Sequence, residues 1–194
     1  MNQIRLLFLI LLLSLLNPGY GNAQNAKNLG IDTRAYPAGV ILGVRGGVDL
    51  GSHNEINLHL GYNITRRGDF GKKDNEEGGG PGFGLSYKHY LPGKLDRLFL
   101  GARADMWFMD INWSERREVC GTVPPCIEQE VNGTTKITVL QPTLQAGYNL
   151  LKNSSEWILT PSVSFGYEIN IRTRGEEVGE GAILLGGLSI GYKF

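Results

Sequence analysis

The sequence predicts an all-β protein: an export signal followed by an eight-stranded antiparallel up-and-down transmembrane β-barrel with short periplasmic turns and longer extracellular loops. Three observations carry this. The chain opens on a short apolar run behind a basic residue, the remainder alternates apolar and polar residues over unusually long segments, and the connections between those segments alternate short and long. Period-two alternation is the signature of strands, because successive side chains point to opposite faces.

The opening segment, residues 1–23, has Arg5, the apolar run Leu6 to Leu16, the breaker Asn17-Pro18-Gly19 and the small-residue exit Gly21-Asn22-Ala23 before Gln24. Those are the parts of a cleaved secretory signal. The run is shorter than the roughly 20 apolar residues a spanning helix needs. No cysteine follows it, which argues against an acylated lipoprotein. Residues 24–194 are then one barrel domain. Lys and Arg balance Asp and Glu at 19 each and lie scattered, so nothing favours a nucleic-acid partner. The 28 glycines are spread along strand-like segments, as barrel glycines are, and do not form a linker.

In chain order, Asn28 to Tyr36 alternates Leu29, Ile31 and Thr33 against Gly30, Asp32 and Arg34, ending at the turn Pro37-Ala38-Gly39. Val40, Leu42, Val44, Val48 and Leu50 oppose Gly43, Arg45, Gly47 and Asp49; Ile56 to Ile64 opposes Asn57, His59, Gly61 and Asn63. Phe83, Leu85 and Tyr87 oppose Gly84, Ser86 and Lys88, and Leu98 to Phe108 opposes Gly101, Arg103, Asp105 and Trp107. Thr138 to Leu150 opposes Val139, Gln141, Thr143, Gln145, Gly147 and Asn149. The clearest alternation runs from Trp157 to Arg172, with Glu168, Asn170 and Arg172 on its polar side. Leu184 to Phe194 closes the chain on an outward aromatic, as an interfacial girdle requires. Gly51–Asn54, Pro92–Asp96 and Lys152–Glu156 are short, turn-like connections. Arg66–Gly80, Ser114–Gly133 and Thr173–Gly181 are longer and polar, which assigns them to the outside. A secreted lipocalin-like or streptavidin-like barrel is the rival reading, with the apolar face inward. The long strands, the terminal aromatic and the small, Gly-rich polar face argue against it.

With the signal ending at Ala23-Gln24, the hairpin at Tyr36-Pro37-Ala38-Gly39 and the close Gly191-Tyr192-Lys193-Phe194, the chain resembles the small outer-membrane barrels of the OmpX, OmpA transmembrane-domain and OmpW types, and barrel proteins of the Bacteroidota in particular. The resemblance covers the whole mature chain and is architectural. It implies a fold and an outer-membrane location and no reaction.

The candidate site is the lumen, whose polar residues are Arg45, Asp49, His59, Lys88, Arg103, Asp105, Gln141, Gln145, Glu168 and Arg172, with Lys193 near the rim. Confined charges must pair or be hydrated. An interlocked salt-bridge filling is the first expectation, and a narrow porin-like path for water, ions or small solutes the second. Cys120 and Cys126, an even pair at short spacing in an exported chain, are expected to form a disulfide across the longest loop. No histidine lies there to make a zinc site, and no cofactor is expected. Mixed charges in the outer loops read as solvated surface, with basic residues near the membrane able to meet lipopolysaccharide phosphates and acidic ones to hold divalent cations weakly. Arg67-Gly68-Asp69 spells an adhesion tripeptide, a match too short to weigh.

Catalysis by a lipid A-modifying enzyme would need a nucleophile, a histidine and an orienting acid together. His53 falls in a turn, His59 faces the lumen, and His89 lies on the opposite face from Ser86; the His-x-Ser pattern of deacylase-type barrels is absent. The expected role is therefore a non-enzymatic structural or accessory subunit of an outer-membrane complex. Its expected partners are outer-membrane lipids including lipopolysaccharide and another outer-membrane protein.

Overall fold

The computed structural model describes residues 27–68, 71–95, 97–119, 127–151 and 156–194. The signal segment and the Cys120–Cys126 pair lie outside the described residues. Strands β1 (Lys27–Tyr36), β2 (Gly39–Asp49), β3 (Asn54–Arg66), β4 (Asn75–Tyr90), β5 (Leu98–Val119), β6 (Ile127–Tyr148), β7 (Trp157–Arg174) and β8 (Gly181–Lys193) follow one another around a closed barrel. Each pairs antiparallel with its sequence neighbours, and β1 meets β8 to close the ring, from Asn28 opposite Lys193 to Ala35 opposite Gly186. Asn28 to Tyr36 is thus the first barrel strand. The backbone of Lys27 and Phe194 exchanges two hydrogen bonds of 2.9 Å at the short-turn rim.

The alternation expresses itself as an inverted protein. Leu144 is 70% exposed and Ile31 63%, while Asn57, Asn63 and Gln141 are fully enclosed. An apolar face of this extent is unstable in water and stable in hydrocarbon. The ring has no edge strand, so every backbone group within it can be paired, the condition for crossing a bilayer with strands. On β5 the outward column runs Leu100, Ala102, Ala104, Met106, Phe108 and then Asp110. That gives about ten residues of apolar wall, the length a tilted spanning strand needs. At the short-turn rim Trp157 packs edge-on against Tyr192 at 5.5 Å, beside exposed Tyr148 and Phe194, forming an aromatic girdle. Eight strands, closure, this outward belt and both ends of the described chain at the short-turn rim are the architecture of a bacterial outer-membrane barrel.

Inward glycines make room for large lumen side chains. A Cβ on Gly82 would collide with the Trp107 ring, and one on Gly84 would collide with the Asp105 carboxylate.

Two expectations need correction. Ser114–Val119 and Ile127–Gly133, expected in a loop, are strand: β5 and β6 stay paired from Leu98 opposite Tyr148 to Val119 opposite Ile127. The pairing of β4 with β5 ends at Asn75 opposite Ser114, and that of β6 with β7 at Lys136 opposite Arg174. Beyond them β5 and β6 ladder only with each other, tied to the rest by side chains such as Asp74, which accepts from the Arg116 backbone at 2.8 Å. Arg66–Gly80 is likewise shorter as a connection, since β3 runs to Arg66 and β4 begins at Asn75. The second correction concerns Arg172, assigned to the lumen by parity. The register of β7 shifts between Thr138 and Val139, which face Arg172 and Asn170, leaving Ile171 as a bulged extra residue. One extra residue reverses the facing of everything beyond it, so Arg172 is exposed on the outer wall.

Candidate functional site in the barrel lumen

The lumen is filled in tiers. Nearest the short-turn rim, Arg45 donates to Glu55 at 3.3 Å, Asn57 at 3.0 Å and Asn28 at 3.2 Å. Lys88 and the Tyr90 hydroxyl donate to the same Glu55 at 3.0 and 2.9 Å. Lys88 Nζ also lies 5.0 Å from the Phe99 ring centroid. Asp49 is half-buried at the rim and binds Lys193 at 2.5 Å.

The middle tier joins opposite sides of the barrel. Arg103 on β5 donates to Asp105 at 2.8 Å and across to Asp32 on β1 at 2.7 Å. Arg34 donates back to Asp105 at 3.1 Å and lies 3.5 Å from Asp32. Two guanidiniums thus meet two carboxylates in a closed circuit, all four buried. Buried pairing of this kind offsets desolvation only when each member keeps its partners.

His59 joins the circuit, with Nδ1 3.5 Å from Asp32 Oδ2 and Nε2 2.9 Å from Ser86 Oγ. Hydroxyl, imidazole and carboxylate in that order resemble a serine-hydrolase relay. Here, however, Asp32 is bound more tightly by Arg103, and Ser86 is only 2% exposed inside the barrel wall. The arrangement is that of a packed polar network.

The outer half is different. Trp107, Met109, Ile111, Trp113, Ile137, Val139, Ile183 and Leu185 form an apolar cluster inside the barrel, joined by Tyr36 and Ile41. Gln141 serves it by accepting from Trp107 Nε1 at 3.0 Å. Over its mouth lies the connection between β7 and β8, whose Val178 inserts into the cluster and is 1% exposed.

Glu76 pins that connection. Fully buried, it accepts from Arg67 at 3.1 Å, from the Gly179 backbone at 3.0 Å and from the Lys72 and Lys73 backbones at 2.8 and 3.2 Å. Arg67 also donates to Glu168 on β7. Above them Lys73 binds Glu176 at 2.6 Å and Glu115 at 3.0 Å and lies 4.8 Å from the Trp113 ring. Arg117 meets the same two carboxylates at 2.5 and 2.6 Å. Glu176 is held below the usual carboxylate range by hydrogen bonds from Arg117 and then Lys73, and Glu115 by Lys73 and then Arg117.

Of the lumen residues read from sequence, Arg45, His59, Lys88, Arg103, Asp105, Gln141, Gln145 and Glu168 face inward and are buried. Asp32, Arg34, Glu55, Asn57 and Ser86 are the members sequence reasoning left out of the network. Asp32, Arg34, Asn57 and Ser86 had the right parity, and Glu55 lay one residue short of the segment recognised. Arg67 and Glu76 were read as solvated loop charges. His89 stands outside, bound to Asn54 at 2.8 Å.

No protein-family model and no curated protein matches the chain. Among solved structures it is similar to the N-terminal β-barrel domain of OprF from Pseudomonas aeruginosa, at 16% identity and TM-score 0.45 over 88% of this chain and 98% of that one. It is similar to Neisserial surface protein A at 9% identity and TM-score 0.46, over 87% and 95% of the two chains. A major outer membrane protein from Thermus thermophilus gives 12% and 0.47 over 87% and 99%. These likenesses assign no role to any residue here.

Proposed function

We propose that this chain is a non-enzymatic outer-membrane barrel with a shut lumen, a structural or accessory element that presents its β5–β6 ribbon to a companion outer-membrane protein. The observation that carries the reading is the filling of the lumen: a buried ionic circuit in the middle and an apolar plug under Val178 at the outer mouth. With the interior given over to packing, the surfaces left for function are the wall and the ribbon. Among the described residues, 115–119 and 127–131 form a backbone ladder only with each other, and on the β5 edge the Arg116 N–H is taken by the Asp74 carboxylate at 2.8 Å. The β6 edge of that ribbon therefore carries backbone donors and acceptors suited to strand addition by a partner.

A narrow water or ion path is the second reading. Gln145 Nε2 and Asn57 Nδ2 are buried in the lumen with no hydrogen-bond partner among the described residues, groups that water along such a path would satisfy. Against it stands the apolar outer half.

The test is gentle detergent extraction of the tagged protein from its native outer membrane, followed by native sizing and mass spectrometry. The expected result is a stoichiometric companion that disappears when residues 116–130 are replaced by a short turn and persists in Arg103→Lys. A lone monomer before and after shortening would overturn the accessory reading.

A further inference from the structure

We infer that the outer wall of β5, β6 and β7 is a binding site for lipid A, with Lys136, Arg172 and Arg174 on its phosphate and the apolar trench beneath them on an acyl chain. The inference rests on the rim opposite Lys27 and Phe194 facing the cell exterior, which brings the cationic end of this wall into the outer leaflet.

Across these three strands the wall changes character within two rungs. Met106, Leu140 and Ile169 stand level in the register, then Phe108, Thr138 and Arg172, then Asp110, Lys136 and Arg174. The cations thus begin where the apolar column ends, at the depth of the headgroups. Arg172 and Arg174 lie on one face of the same strand, roughly 7 Å apart. Guanidinium forks at that spacing can each take a phosphate oxygen pair in a charge-assisted contact.

Asp110 is one carboxylate among them. It lies 3.5 Å from Lys136, with side chains 61% and 67% exposed, a pairing that water weakens. Glu180 reaches the same strand end, accepting from the Asn170 backbone at 2.8 Å, so three cations face two carboxylates and the patch keeps a net positive charge.

Two features mark this as more than scattered surface charge. The first is the bulge. Without it Ile171 would oppose Thr138, and Arg172 would oppose Ile137 and point into the apolar top of the lumen. The extra residue turns both arginines to the lipid side. The second is a trench lower on the same wall, about 650 Å³, between Leu85 and Tyr87 on one flank and Leu144 and Phe165 on the other, with the Met106, Leu140 and Ile169 rung between it and the cations. Its floor is low because β5 carries Ala102 and Ala104 there. A separate recess of about 200 Å³ bounded by Phe108, Thr138, Arg172 and Arg174 lies above that rung. An apolar slot and a cationic recess on one wall, with an apolar rung between them, complement an amphiphile with a phosphorylated head.

The test uses the refolded mature protein in detergent, with native mass spectrometry against bisphosphorylated lipid A, the same lipid A with its phosphates removed, and phosphatidylglycerol. The wild type is expected to retain bisphosphorylated lipid A at least ten-fold more tightly than either other lipid. K136Q/R172Q/R174Q should abolish the preference, whereas Arg116→Gln, on the exposed ribbon, should keep it. Heat-modifiable gel migration separates loss of binding from loss of the barrel. If the triple variant does not refold, Arg172→Gln alone should cut the preference several-fold. Equal retention of the dephosphorylated lipid or of phosphatidylglycerol, or a preference that survives in a folded variant, would overturn the site.

Discussion

In the middle of the lumen Arg34, Arg103, Asp32 and Asp105 interlock across the barrel, whereas in the outer half Trp107, Met109, Ile137 and Leu185 pack under Val178. Both arrangements fill an eight-stranded interior, which side chains are just large enough to close. They answer to different physics. An ionic circuit fixes which strands face one another, since each guanidinium must find its carboxylate, but it fails as a unit when one member is lost. An apolar plug loses free energy in proportion to the volume removed, and because it opens toward water it needs a lid. Glu76 supplies the anchor for that lid, with buried acceptor bonds to Arg67 and to the Gly179 backbone.

The sharpest break in the comparison should come from Arg103→Ala. It leaves Asp32 and Asp105 to share Arg34 in a buried site, and the expected loss of unfolding free energy is about 3 kcal/mol, read by urea titration in detergent micelles. Arg103→Lys should recover part of it. A loss no larger than for an exposed residue such as Arg116→Ala would show that the circuit is hydrated and adds little. Glu76→Gln keeps the shape and removes the charge that Arg67 meets. About 2 kcal/mol is expected, the scale of a hydrogen bond to a charged group, with faster hydrogen exchange confined to residues 175–180.

Val178→Ala should be milder and graded. Removing two buried carbons from the plug corresponds to roughly 1.5 kcal/mol, and Val178→Ile should fall on the other side of wild type or close to it. A cost as large as that of Arg103→Ala would mean that the two tiers are one cooperative unit.

The smallest effect is that of pH on the lid. Glu115 and Glu176 are held below the usual carboxylate range by Lys73 and Arg117. Their contribution to docking is present above the unfolded carboxylate value of about 4.3 and is lost as pH falls through the lower folded values. Protease nicking near Gly175 should therefore rise only in strong acid, and K73Q should raise it already at neutral pH. Nicking that peaks between pH 6 and 8 would contradict this assignment.

How far these regions were legible in the sequence follows from what each strand face touches. Where one face meets lipid and the other the lumen, as from Trp157 to Ile169, alternation is strong and parity assigns each side chain. Where both faces meet water, as in Glu115 to Glu118 and Glu128 to Glu130, nothing alternates, and a paired ribbon reads as a charged loop. Parity also fails past a bulge, which is why Arg172 was placed inside. The ionic circuit was half visible: Asp32 and Arg34 had inward parity, but parity says nothing of which strand stands across the barrel. Arg67 and Glu76 are buried by a tertiary fold-over that local pattern does not encode.

The claim on which the rest depends is that the lumen is shut, and planar-bilayer recording of the refolded wild-type barrel tests it most directly. Heat-modifiable, inserted protein should give no discrete current steps. Steps of uniform size that shrink or vanish in Arg103→Lys would contradict the account and establish a path through the ionic circuit.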